Sequence, residues 1–166
     1  MSLSISKSRY KFYWLSAALV LIILLVFRIS HNTSPINKEE LLLEVTIDGD
    51  KAKVQQLIAE GVNPNYQGAA YGSALLYASG NGHLEIVKFL IEKGASIDIQ
   101  NGLGSTPLMA AATRGHNEVA QLLLDKGANL YLKDAAGENA YKIALRYDQL
   151  TTAALIAKFC PNQKCD

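Results

Sequence analysis

The sequence predicts an all-α protein, in which a solenoid of about four helix-turn-helix units follows one N-terminal transmembrane helix. Two observations support this fold class. Glycine and leucine recur every 33 residues over most of the chain, and an uncharged apolar run lies close to its beginning. A fixed period of roughly 20 to 50 residues is typical of repeat architectures. A long uncharged apolar run is typical of a helix that crosses a membrane.

The apolar run covers residues 12–27, which read FYWLSAALVLIILLVF and contain no charged side chain. As a helix it is roughly 24 Å long, slightly shorter than a hydrocarbon core of about 30 Å. Lys11 and Arg28 flank the run. Their apolar stems can lie along the lipid while their charges reach the headgroups. We therefore predict a transmembrane signal anchor over residues 12–29.

The basic residues around this run predict its orientation. Lys7, Arg9 and Lys11 precede it, whereas only Arg28 follows it closely. Basic residues collect on the cytoplasmic side of a membrane helix. Residues 1–11 are therefore expected to be a cytoplasmic tail. The rest of the chain is expected to be extracytoplasmic, in a single-pass protein whose repeats lie in a bacterial periplasm.

Two alternatives stay open for this end of the chain. One is a cleaved signal peptide, because its basic and apolar regions have the same appearance. Residues 27–32 (FRISHN) lack the small residues at alternate positions that a cleavage site requires, so we favour an uncleaved anchor. The other alternative is the opposite topology, with the repeats forming a cytoplasmic scaffold.

The 33-residue period organises the rest of the chain, because several independent columns of residues keep the same step. The columns are Gly49, Gly82 and Gly115; Gly61, Gly94 and Gly127; and Leu42, Leu75 and Leu108, with Tyr141 next in register. These columns predict a repeat domain over residues 38–160. Its units are expected at about 38–67, 68–100, 101–133 and 134–160, between a linker at 30–37 and a C-terminal tail at 161–166.

The third unit shows how each repeat is built. Thr106 is suited to cap a helix, and Pro107 takes the first helical position, where a missing N–H has no cost. Gly115 can end this first helix in a left-handed conformation. The second helix then carries an apolar stripe formed by Val119, Leu122 and Leu123.

This arrangement resembles the ankyrin repeat, a turn and two antiparallel helices with a T-P-L-H-x-A signature. The resemblance runs from roughly Asn37 to the C-terminus and is strongest in units two and three. Met109 replaces the signature histidine after Thr106-Pro107-Leu108, so the histidine's usual hydrogen bond to the threonine is expected to be lost. Terminal repeats are expected to depart from the pattern, because their outer faces meet water.

The resemblance implies a protein–protein interaction module that binds its partner on a concave surface of turn tips and first-helix ends. Aromatic and arginine side chains dominate binding hot spots. The residues that we expect to contact a partner are Tyr71, Asn81, Leu103, Arg114, Arg146 and Tyr147. The alternative is that Tyr71 packs within its turn and that Arg114 only solvates a helix end. We expect a monomer that binds a protein.

Other function classes are disfavoured. A net charge of +1 without any basic run argues against nucleic-acid binding. His83-Leu84-Glu85 and His116-Asn117-Glu118 spell half of a zinc-deaminase signature, but the P-C-x-x-C half is missing. Both histidines also fall at a repeat position that the ankyrin family fills with a packing histidine. We expect no enzyme, no metal and no cofactor.

Cys160 and Cys165 are the only cysteines in the chain. If the repeats lie outside the cytoplasm, these two thiols meet an oxidising compartment and can close a small disulfide loop. Such a loop would hold the end of the last helix. Free thiols are the alternative, and a thiol-dependent redox enzyme that uses both cysteines is the rival function. Redox-active pairs usually have a two-residue spacing, which is absent here.

Overall fold

Four pairs of helices make up the repeat domain in the computed structural model, which describes residues 37–68, 72–161 and 165. The helices are α1 (Lys38–Asp48), α2 (Lys51–Ala59), α3 (Ala74–Asn81), α4 (Leu84–Glu92), α5 (Pro107–Arg114), α6 (Asn117–Asp125), α7 (Ala140–Arg146) and α8 (Leu150–Ala157). No strand occurs in these residues, so the predicted all-α fold is confirmed.

The predicted anchor at residues 12–29, its cytoplasmic tail and most of the linker lie outside the described residues. Among the helices that the structure does describe, none is both long and apolar enough to cross a membrane.

The helices form two layers. The first helices of the units, α1, α3, α5 and α7, stack side by side, and the second helices, α2, α4, α6 and α8, stack behind them. Small residues permit the closer packing of the first layer, because Ala78, Ala111 and Ala144 recur every 33 residues and are completely buried. The predicted leucine column of Leu42, Leu75 and Leu108 is also buried in the core.

Side-chain caps start three of the first helices. Ser73, Thr106 and Asn139 occupy one column, and each accepts a hydrogen bond from the backbone N–H three residues later. Met109 partly replaces the missing signature histidine. Its sulfur accepts a hydrogen bond from the Thr106 N–H at 3.4 Å, while the Thr106 hydroxyl accepts one from the Met109 N–H. The cap therefore has two reciprocal hydrogen bonds.

A histidine links each of the two middle units to the unit before it. The His116 Nε2 lies 3.1 Å from the Gly80 carbonyl oxygen, and the His83 Nε2 lies 3.1 Å from that of Ile47. A carbonyl can only accept, so each Nε2 carries the proton. The His116 ring also lies beneath Gly82, where a β-carbon would come within 2.7 Å of its Nδ1 atom. These histidines therefore have a packing role.

The fourth unit departs from this pattern. Asp148 replaces the glycine of the column and still has a positive φ of 57°, while Gln149 takes the histidine position. Aspartate tolerates the left-handed conformation better than most residues do. The helix pair α7–α8 therefore keeps the turn geometry without its usual sequence.

We predict that Gly82→Ala destabilises the domain more than Gly94→Ala. Both glycines have positive φ, so an alanine pays about 1–2 kcal/mol for the left-handed conformation at either position. Only Gly82 faces a neighbour, because nothing lies within 4 Å of a β-carbon at Gly94. Displacing the His116 ring should add about 1–3 kcal/mol.

Chemical denaturation of the two variants measures this difference, with Gly94→Ala as the matched control for backbone strain. Equal losses of unfolding free energy would show that the His116 ring moves aside from the added methyl group at no cost.

Candidate protein-binding surface

One side of the domain is formed by the C-terminal ends of the first helices and by the turn tips that precede these helices. We call this the inner surface. Its helix-end residues share two columns: Ile47, Gly80, Thr113 and Arg146, and Asp48, Asn81, Arg114 and Tyr147. Because the first helices stack side by side, these columns run across all four units. Five of the six predicted contact residues are described here, whereas Tyr71 lies outside the described residues.

Asn81 and Arg114 both reach back to the preceding unit. The Asn81 side-chain amide donates to the Ile47 carbonyl at 3.2 Å. Arg114 donates through Nη1 to the Gly80 carbonyl at 3.0 Å and to the Asn81 side-chain oxygen. These bonds stabilise the stacking of units, a role that the sequence analysis did not assign to either residue. Arg114 nevertheless remains exposed to solvent.

Arg146 forms an ion pair with Glu138, which lies in the turn before α7. The hydrogen bond that Arg146 donates to Glu138 is the main reason why the pKa of Arg146 is raised above its ordinary value. The other carboxylate oxygen of Glu138, Oε2, is buried and has no hydrogen-bond partner among the described residues. The Asp134 side chain fixes this turn, because it accepts from the N–H groups of Ala136 and Glu138, both at 2.9 Å.

Leu103 and Tyr147 are the most exposed apolar side chains of the inner surface, with 68% and 50% of their area accessible. The backbone that carries Leu103 is well held. Asn101 accepts hydrogen bonds from the N–H groups of Leu103 and Ser105, and the Leu103 carbonyl accepts from Ala135 at 2.8 Å. A rigid turn thus presents an exposed leucine, as a binding anchor requires.

A family model described as "Ankyrin repeats (3 copies)" matches residues 19–101, 41–134 and 75–165. The chain belongs to the ankyrin-repeat family. Ankyrin repeats indicate a protein–protein interaction module, and members of the family are generally not enzymes. A search of curated proteins found no match. The interaction module implied by the sequence is therefore supported by both the helix pairs and the family match.

The C-terminal end of the ankyrin domain is closed by a disulfide between Cys160 and Cys165, whose Cα atoms are 5.4 Å apart. Both cysteines are buried, and the Cys165 carbonyl accepts a hydrogen bond from the side-chain amide of Asn139. Asn139 is itself fully buried and caps α7. The bridged segment thus satisfies a polar group that the last unit would otherwise bury without a partner.

This geometry does not support the thiol-dependent enzyme that the sequence left open. A redox-active cysteine is usually accessible and lies in an electropositive environment. Here both sulfurs are buried and bonded to each other. The part of the chain that the structure describes also contains no group of three or more residues placed to hold a metal ion.

A depression lies on the opposite layer, away from the inner surface. It has a volume of about 440 Å³ and is lined by residues of α4, α6 and α8, including Leu84, Leu122 and Leu155. Its polar lining residues, among them Lys88, Glu118 and Asp125, are those of solvated helix faces. Since no converging catalytic constellation lines it, we do not assign it an active site.

We predict that Cys160→Ser/Cys165→Ser lowers the stability of the domain. Closure of a six-residue loop contributes about 2 kcal/mol in the chain-entropy description of disulfides. Chemical denaturation of the variant should show a loss of this size. Treatment of the unchanged protein with a reductant is the control, since it should give the same loss and should leave the variant unaffected.

Proposed function

We propose that the chain is a membrane-tethered binding module whose ankyrin domain captures a protein partner on the extracytoplasmic side. The observation that carries this proposal is the composition of the inner surface. Arg114, Arg146, Tyr147 and Leu103 are all exposed there, on turns and helix ends held by hydrogen bonds. Arginine and tyrosine on a rigid scaffold are typical of interface hot spots.

The tether and its location rest on separate support. The apolar run and its basic N-terminal flank favour an uncleaved anchor at residues 12–29, with the N-terminus in the cytoplasm. The Cys160–Cys165 disulfide favours an oxidising compartment for the ankyrin domain. In a bacterium this compartment is the periplasm.

Two roles fit a tethered binder of this kind. One is an immunity or inhibitor protein that blocks a toxin or enzyme arriving in the compartment. The other is a scaffold or helper for an enzyme that resides there. Copurification from a detergent extract, followed by mass spectrometry of the bound protein, distinguishes the two roles.

We predict that a C-terminal alkaline phosphatase fusion is active and that a C-terminal green fluorescent protein fusion is dark. The phosphatase needs disulfides and works only outside the cytoplasm, whereas the fluorescent protein matures inside it. The reverse pattern would support the opposite topology, with a cytoplasmic ankyrin scaffold. Deletion of residues 1–29 is the control for the tether. The deletion should release the protein from the membrane fraction. If the segment were a cleaved signal peptide, the protein made from the undeleted sequence would already be soluble.

We predict that Leu103→Ala weakens partner capture about fivefold or more, because truncation of a hot-spot side chain typically costs more than about 1 kcal/mol. Leu150→Ala is the matched control, since Leu150 is a similarly exposed leucine, at 62%, on the second-helix layer. Quantitative copurification compares the two variants. Equal retention of the partner by both would place the binding site elsewhere on the domain.

A further inference from the structure

The charges of the inner surface are segregated along the repeat array. Asp48 on the inner surface, and Glu44 one helical turn before it, make the C-terminal end of α1 acidic. Asn81 gives the second unit a neutral residue at the same column. Arg114 and Arg146 lie at the ends of the adjacent, packed helices α5 and α7. A binding partner therefore meets carboxylates at unit one and two guanidinium groups at units three and four, of which that of Arg146 is paired with Glu138.

Arg114 is already oriented for a ligand. Its two hydrogen bonds to the second unit both leave through Nη1, so its Nε and Nη2 groups keep N–H donors for a carboxylate. No carboxylate of the described residues lies within ion-pair distance of its guanidinium. Because the side chain is held before binding, less conformational entropy is lost when a ligand arrives.

Arg146 is held in a comparable way by Glu138. The two side chains differ in exposure, since 49% of the Arg146 side chain is accessible and only 23% of the Glu138 side chain. The Arg146 side chain is therefore the more accessible member of the pair. Glu138 acts as a positioning residue, because one carboxylate oxygen cannot use all five N–H donors of a guanidinium.

Exposed apolar side chains lie on the same two units as the arginines. Tyr147 follows Arg146 directly and shares the repeat column of Arg114, while Leu103 lies at the tip of the turn that leads into α5. Both side chains are exposed. An acidic residue beside an apolar one would therefore find complementary groups on units three and four.

We propose that units three and four of the inner surface bind an acidic segment of a protein partner, with carboxylates on Arg114 and Arg146 and an apolar residue on Leu103 and Tyr147. The inference rests on the proposed function and specifies the chemistry of its partner. Glu44 and Asp48 repel further acidic residues at unit one, so they set the direction in which the segment lies. The same two carboxylates argue against a nucleic-acid backbone, which is negative along its whole length.

The test uses the full chain in detergent micelles and a random peptide library of about twelve residues displayed on phage. We expect the selected peptides to be enriched in Asp and Glu next to an apolar residue. Their affinity should fall at least tenfold for Arg114→Gln/Arg146→Gln. It should also fall as salt is raised. Lys88→Gln/Lys126→Gln is the matched control, because it removes two positive charges outside the inner surface and should change affinity less than twofold.

Other outcomes separate the two proposals. Selected peptides without acidic enrichment that still depend on Leu103 and Tyr147 would overturn the acidic segment and leave the protein-binding function standing. If the selected peptides are insensitive to every inner-surface variant, the proposed function fails as well. If a single-stranded oligonucleotide binds at physiological salt and this binding is lost in Arg114→Gln/Arg146→Gln, the ligand of the surface is a nucleic acid and not an acidic protein segment. Thermal unfolding of each variant confirms that it is folded.

Discussion

Close stacking of the first helices is the constraint on which the rest of this structure depends. Ala78, Ala111 and Ala144 are completely buried where α3, α5 and α7 meet their neighbours. A larger side chain in this column would separate the helices and open cavities in the leucine core. The histidines require the same spacing, since His83 and His116 each bond to a carbonyl of the preceding unit and lie against its turn glycine, Gly49 or Gly82.

This packing also limits what the protein can do. Each unit uses its apolar faces to bury its neighbours, so the residues left for function lie at helix ends and turn tips. Those positions are exposed but rigidly held, as the hydrogen bonds around Leu103 and Arg114 show. A surface of this kind is suited to binding a protein, whereas a reaction needs converging groups in a water-excluding pocket.

The last described unit of the array is held in a different way. At the C-terminus, the segment closed by Cys160 and Cys165 supplies the carbonyl that the buried Asn139 amide requires. The disulfide thus connects the stability of the last repeat to the redox state of the compartment.

The sequence by itself determined the all-α repeat fold, the cap at Thr106 and the leucine core. These features depend on interactions within one unit or between identical columns, and a 33-residue period exposes such columns directly. It also brought Arg114, Arg146, Tyr147 and Leu103 to notice as exposed candidates. Only the tertiary structure decided that Arg114 bonds to Gly80 and Asn81, that Glu138 holds Arg146, and that Cys165 completes the cap at Asn139. These contacts join residues of different repeat columns, or join Cys165 to the cap of α7. Which residues meet depends on how neighbouring elements are offset in three dimensions. The 33-residue period does not specify that offset.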